Sequence, residues 1–442
     1  MVPSKKSLEI CERMHELIPA GAHTYSKGDD QVPSNAPRVL SRGLGSHVWD
    51  VDGNEYVDWG MGLRSVILGY CYPEVSKAAH AAIDMGANFC RPHYLELELA
   101  EVLHKTIKSA EMVKFAKNGS DTTTAAVKLA RAYTKRDKIA YCKDHPFFSI
   151  DDWFIGTTVV NAGVPAALSS LSLPFNYNNL ESLKLLFENN PDGVAGVIME
   201  ASTGVPPKDD FLKKAIDLAH ANGAVFIMDE IITGFRYHIG GAQEYFGVKP
   251  DLCTFGKAIA NGFSVSVLAG KSEIMELGGI KHDKERVFLL STTHGSEVHG
   301  LAAAKATIEE LAAKKAIDKI WATGKQLKEG INRISKENGM ERYIEVTGYD
   351  CSPVPAFRDE KGATDFKLKT YVMQEIFRQG GVLFPGYVAV SYSHSDADVQ
   401  KTLSVFEVAI KKAKEAKDTG GFDKLIEGDV VKPVFRKYNK YP

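Results

Sequence analysis

Between residues 72 and 311, short apolar runs alternate with longer segments whose apolar positions recur every three or four residues. The runs at 112–116, 138–142, 194–199, 224–228, 251–255 and 265–269 have the length and composition of strands buried on both faces. Between and around them, 73–86, 95–109, 120–135, 180–188, 208–222 and 298–313 have helical periodicity. This alternation predicts an α/β domain built on a mostly parallel sheet, with ligands at the carboxyl ends of its strands. From 316 the pattern changes to long helices at 316–338, 364–380 and 396–416, with strands among them and a basic tail. At the other end, 4–17 reads as a short amphipathic helix carrying Leu8, Met14 and Leu17. Residues 45–59 read as a hairpin that turns at Asp52-Gly53, with Val48 and Val57 on its strands. The organisation that follows is an N-terminal segment 1–65, a large domain 66–315 and a C-terminal domain 316–442, the two ends together forming a smaller α+β lobe.

The stretch 224–262 carries the chemistry. The run Ala-Val-Phe-Ile-Met ends in Asp229 and Glu230, and Lys257 follows twenty-eight residues after Asp229, between Thr-Phe-Gly and Ala-Ile-Ala-Asn-Gly. A single acid at a strand end is usually a cap, and a single lysine before a helix is usually solvated. Together, in this setting, they are what pyridoxal phosphate chemistry requires. The lysine condenses with the cofactor aldehyde, and the carboxylate keeps the pyridine nitrogen protonated so that the ring accepts electrons from the substrate α-carbon. A second candidate is Asn118-Gly119-Ser120-Asp121, between the strand at 112–116 and the next helix. Backbone N–H groups at such a terminus bind phosphate; the same residues also make an ordinary cap through Ser120 or Asp121.

Composition narrows the class. A formal charge of −2 over 442 residues gives no reason to expect nucleic acid or an anionic membrane surface as partner. The six cysteines are dispersed with no Cys-x-x-Cys pair, which argues against a disulfide framework or structural zinc, and no metal is expected. No signal-peptide core and no membrane-length apolar run is present, so a cytoplasmic protein is expected.

The segments Asp229-Glu-Ile-Ile-Thr-Gly-Phe-Arg236 and Phe255-Gly-Lys257 resemble the two signatures of class III aminotransferases, most nearly the glutamate-1-semialdehyde aminotransferase/aminomutase branch. The resemblance spans roughly 10–435 and implies fold type I, pyridoxal 5′-phosphate bound at Lys257 and Asp229, and a homodimer with shared active sites. It makes Gly119 and Ser120 the phosphate cup, and makes Thr293 the residue that reaches the phosphate of the neighbouring subunit's cofactor. Aligning Asp-Asp-Trp-Phe puts Phe147 at the position of the tyrosine that stacks on the ring, with Phe148 beside it and Ile231 on the other face. Outside that motif such aromatics are more often core. Glu200 resembles the family's Glu-Pro element, where a structural hydrogen bond is an equal reading.

For substrate, Lys27 stands where the aminomutase has an arginine, and Arg64 is a cation in the segment that replaces Ser-Trp-Gly-Pro. Residues 384–394 lack the aminomutase's Gln-Phe-Glu glutamate. These departures favour an aminotransferase that moves an amino group from a donor, L-glutamate first, to a small carboxylate- or phosphate-bearing aldehyde or ketone. The alternatives are the aminomutase itself, another pyridoxal phosphate reaction such as racemisation or decarboxylation, and a catalytically retired binding protein.

Overall fold

The computed structural model describes residues 4–439. Its contacts divide the chain into two units, one holding the residues up to Tyr72 together with Asp318–Arg436, the other Pro73–Ile317 with the last few residues.

The second unit contains a seven-stranded sheet. Its strands are β1 (Met112–Ala116), β2 (Lys138–Cys142), β3 (Ser172–Phe175), β4 (Val194–Glu200), β5 (Val225–Glu230), β6 (Leu252–Phe255) and β7 (Ser266–Gly270). The spatial order is β1-β7-β6-β5-β4-β2-β3. Every pairing is parallel except those of β7, which runs antiparallel to both β1 and β6. β4, β5 and β6 lie in the middle and bury every residue, which is why their sequences are continuous apolar runs rather than alternating ones. Helices Gly119–Thr134, Leu180–Glu188 and Phe211–Ala221 follow β1, β3 and β4 in the chain.

The periodicity located six of these strands and missed β3. β3 has four residues and contains Pro174, which reads as a strand breaker. The sheet tolerates it because β3 is an edge strand, where a missing N–H interrupts no ladder on the outer side. β5 also runs two residues further than its apolar run, through Asp229 and Glu230.

In the first unit, strands Leu40–Leu44, His47–Asp50, Glu55–Asp58 and Val382–Leu383 form one sheet, and Ile344–Thr347 pairs with Val354–Phe357. The predicted hairpin is present, but its turn is not a two-residue Asp-Gly loop; residues 51–54 connect the strands. The buried Asp50 carboxylate organises this longer turn, accepting from the N–H groups of Asp52 and Asn54, the Asn54 amide and the Tyr56 hydroxyl. The N-terminal helix is Lys5–Leu17, and Leu8 and Leu17 remain exposed on it. Among the described residues no helix is long and apolar enough to cross a membrane, and all six cysteines are free.

Candidate active site

Parallel register aligns the chemistry. Glu200, the last residue of β4, pairs with Asp229 of β5, and Asp229 pairs with Thr254 of β6. Residues in register on parallel strands point to the same face, so these three side chains share one side of the sheet at its carboxyl edge. Lys257 follows β6 by two residues and opens a 3-10 turn, Lys257–Ala260. It sits in the left-handed region at φ 42°, a conformation that costs a non-glycine residue roughly 1–2 kcal/mol.

Asp229 is buried and anchored. Its Oδ1 accepts from the Ile231 N–H at 2.9 Å and from the Thr254 hydroxyl at 3.1 Å. Burial pushes its carboxyl up to about 6, while those two hydrogen bonds and the nearby Lys257 pull it down. A positive group at this carboxylate would remove the penalty, and a pyridinium nitrogen is such a group.

Glu230, on the opposite face, has a different task. It is fully buried; one carboxylate oxygen accepts from the Thr233 hydroxyl and the Ala242 N–H, both at 2.7 Å, and the other from the Gln243 N–H at 2.8 Å. These bonds pin the loop that carries Ile231–Thr233 and its return at Ala242. Gly234 is required there, because a Cβ would lie 2.5 Å from the Phe255 ring. The two sequence signatures therefore pack directly on one another.

The helix Gly119–Thr134 begins immediately after β1, and its N-cap is Asn118, not Ser120 or Asp121: the Asn118 side chain accepts from the Asp121 N–H at 3.1 Å. The N–H groups of Gly119 and Ser120 belong to the first turn, where no helical carbonyl is available to them. A Cβ on Gly119 would meet Ile231 at 2.9 Å, and one on Gly256 would meet the same side chain at 3.0 Å. Ile231 thus links the phosphate-cup candidate to the segment preceding Lys257. The Ser120 hydroxyl accepts from the Ile150 N–H at 3.0 Å, which fixes the loop carrying Phe147 to the same helix end. Within that loop Phe148 is buried and Phe147 is 41% exposed, so of the two rings Phe147 has a free surface.

The structure thus brings together Asp229, Ile231, Gly119, Ser120 and Glu200 with Lys257, and fixes the Phe147 loop to them. Thr293 is exposed in the segment before helix Val298–Ala313; its carbonyl accepts from the Asn88 amide at 2.9 Å. Lys27 and Arg64 belong to the first unit. Lys27 is exposed on a 3-10 turn. Arg64 ends a run of four left-handed residues, Met61, Gly62, Leu63 and Arg64, with φ between 41° and 69°. The buried Asp58 carboxylate anchors this run by accepting from the Gly60 and Met61 N–H groups and the Tyr70 hydroxyl. The Arg64 guanidinium lies 4.9 Å from the centre of the Tyr387 ring.

Two contributors were not anticipated. Thr254 bonds Asp229, and only the pairing of β5 with β6 reveals it. His145 is buried, and its Nδ1 accepts from the Glu200 N–H at 3.0 Å. Burial lowers its pKa to about 4, so the imidazole is neutral at pH 7.

These residues fit pyridoxal phosphate: an anchored buried carboxylate, a lysine within its electrostatic reach, and a helix N-terminus spaced by an aliphatic side chain that a glycine admits. The class III aminotransferase family profile matches residues 29–408. The chain belongs to that family. It is 32% identical to the 3-aminobutyryl-CoA aminotransferase of Cloacimonas acidaminovorans over 93% of this chain and 98% of the relative. It is 31% identical to the glutamate-1-semialdehyde 2,1-aminomutase of Natranaerobius thermophilus over 90% and 96%. Among solved structures, the FumI protein of Sphingopyxis sp. MTA144 superposes with a TM-score of 0.87 at 24% identity, covering 96% of this chain and all of that one. The protein is a pyridoxal phosphate-dependent class III aminotransferase with the fold type I architecture.

The Asp229 carboxyl yields a pH prediction. In the cofactor-free protein its folded pKa is raised from 3.8 to about 6, so this group's contribution to stability is present below pH ~4 and lost as pH rises through 6. Cofactor-free Asp229→Asn will melt at a higher temperature than the cofactor-free parent at pH 7, with the difference shrinking towards pH 4. The rise in Tm on adding pyridoxal phosphate will be smaller in the variant. Thermal melts at both pH values, with and without cofactor, check it.

Proposed function

We propose that this aminotransferase takes its amino group from L-glutamate and delivers it to a small aldehyde or ketone bearing a carboxylate or a phosphate. The supporting observation is Arg64, a guanidinium on a strained backbone that a buried carboxylate holds in place. Backbone strain of this kind persists where the surrounding structure over-determines it, and functional sites are where it concentrates. Lys27 adds a second cation in the same unit.

In this reading Lys257 is the catalytic base and acid. Its Nζ would be the group that takes up and returns the substrate's α-proton. The bound cofactor supplies the electron sink for the pair left behind. Asp229 would hold the proton on the pyridine nitrogen, and Thr254 and the Ile231 N–H keep that carboxylate aimed. The N–H groups of Gly119 and Ser120 would hold the phosphate, with Phe147 and Ile231 against the ring, and Glu200 lines the same strand edge.

A homodimer is part of the proposal, with Thr293 reaching the partner's cofactor phosphate. Exposed apolar side chains support it: Met85, Phe89, Tyr94 and Leu97 stand on and between helices Pro73–Met85 and Tyr94–Thr106, and Met85 Sδ lies 3.8 Å from the Tyr94 hydroxyl. Apolar surface gathered in this way marks an interface. A second reading, the aminomutase, is favoured by the 31% identical relative and opposed by the missing glutamate in 384–394. The relative named for 3-aminobutyryl-CoA adds β-keto thioesters to the acceptors worth testing.

L-Glutamate alone should discharge the visible absorption of the cofactor-loaded enzyme and release one 2-oxoglutarate per site; an unchanged spectrum removes glutamate as donor and favours the aminomutase. Lys257→Ala should abolish turnover, by at least about 10⁴-fold, with cofactor still retained by the cup. Arg64→Ala should raise KM for an anionic acceptor by roughly tenfold or more with little change for a neutral one, in steady-state kinetics; an equal KM for both returns Arg64 to a structural role. Sedimentation should give twice the 48.4 kDa chain mass, and a monomer at micromolar concentration overturns the shared site.

A further inference from the structure

Among the described residues, one group of three metal-ligating side chains has its ligand atoms all within 4.8 Å of one another: Cys11, His15 and Asp29. All three lie in the first unit, outside the unit that contains Lys257. Cys11 and His15 are one turn apart on helix Lys5–Leu17 and therefore share a face. Asp29 begins the 3-10 turn Asp29–Gln31, in the loop that follows the helix.

The separations have the dimensions of a coordination shell. Cys11 Sγ is 3.7 Å and His15 Nε2 is 3.2 Å from the same oxygen, Asp29 Oδ2. With bonds of about 2.3 Å to sulfur and about 2.0 Å to nitrogen and oxygen, a tetrahedral zinc ion spaces such atoms about 3.3–3.6 Å apart. Gly21 makes room for the shell: a Cβ there would lie 2.8 Å from His15 Nε2, and the residue is left-handed at φ 67°. The Asp29 carboxylate is itself oriented, with Arg38 Nη1 3.8 Å from Oδ2 and the Arg38 guanidinium bonded to the carbonyls of Asp29 and Ser34. Ligating carboxylates are commonly held by such outer partners. The guanidinium charge also opposes a cation, so affinity will fall below that of an all-thiolate site. His15 is partly exposed, which gives an ion a route in and leaves a fourth position for water.

We propose that Cys11, His15 and Asp29 form a binding site for a borderline-soft divalent cation of the zinc type. The donor set of one thiolate, one imidazole and one carboxylate matches zinc or cobalt(II) and suits neither magnesium nor calcium. Binding breaks the Cys11 S–H bond, forms a sulfur–metal bond and releases one proton to solvent. The ion would tie the N-terminal helix to the 19–37 loop, two ligands coming from the helix and one from the loop. The sequence hid this site because Asp29 is eighteen residues from Cys11 and no Cys-x-x-Cys spacing announces it.

The test uses the cofactor-loaded full chain, freed of metal by chelator and then titrated with zinc chloride in a calorimeter, alongside Cys11→Ser and His15→Gln. The expected result is one zinc per chain, a heat that depends on buffer in proportion to one released proton, and affinity at least about a hundredfold weaker in each variant. Cobalt(II) should give the visible bands of tetrahedral coordination with the parent chain and not with Cys11→Ser. Cofactor absorbance and metal-free Tm confirm that the variants fold. Asp29→Asn, which keeps the shape of the turn, provides a third variant if either of the others fails to fold. Absence of stoichiometric zinc binding by the parent overturns the proposal, as does equal affinity in the parent and the folded variants.

Discussion

The register of three parallel strands is the constraint on which the rest of this site depends. Because Glu200, Asp229 and Thr254 occupy equivalent heights on β4, β5 and β6, the carboxylate is flanked by a hydroxyl and followed, two residues past β6, by the lysine. A one-residue slip of β5 would turn Asp229 to the far face and bring Glu230 into its place. The complete burial of all three strands is what makes such a slip prohibitive, since it would leave the carboxylates and their hydrogen-bond donors mismatched in a dry interior. The sheet is therefore part of the chemistry and not merely its support.

The same pleat explains why two adjacent acids do different work. Asp229 faces the cofactor edge with one oxygen tied and its pKa raised by burial, a state that a nearby cation relieves. Glu230 faces the other way and is satisfied by the loop it pins. Removing Glu230 would strand several buried donors at once, each costing roughly 1–3 kcal/mol. The motif Asp-Glu-Ile-Ile-Thr-Gly is thus a compact unit: one acid on the face shared with Glu200 and Thr254, one for the loop, Ile231 as a spacer between Gly119 and Gly256, Thr233 as a donor to Glu230, and Gly234 flush against Phe255.

The first unit spends its conformational strain differently. Four consecutive left-handed residues end in Arg64, and the Asp58 carboxylate beneath them is buried with three donors. Near the other end of that unit's N-terminal segment, Cys11, His15 and Asp29 converge across a turn in which Ala20 and Gly21 are both left-handed. Both features lie in stretches whose hydrophobic pattern is uninformative, because polar loops are organised by hydrogen bonds and charge rather than by burial period.

Much of the large unit was legible in the chain itself. Six of seven strands follow from buried apolar runs, and the parallel sheet follows from their alternation with helices, because burial on both faces leaves an unmistakable compositional mark. The spacing of two motifs singled out Asp229 and Lys257, and the structure places them at the carboxyl ends of neighbouring strands, β5 and β6. What the sequence could not supply is whatever depends on two distant segments meeting. β3 is hidden by Pro174 until its edge position is known. Thr254 and His145 acquire roles only when β6 lies beside β5 and the 142–150 loop meets β4. Asn118 displaces Ser120 as the cap because the helix starts one residue earlier than its period indicates. Local propensity and burial period determined the elements; tertiary register decided which polar atoms face one another, since hydrogen bonds between strands and loops carry no signature in either partner alone.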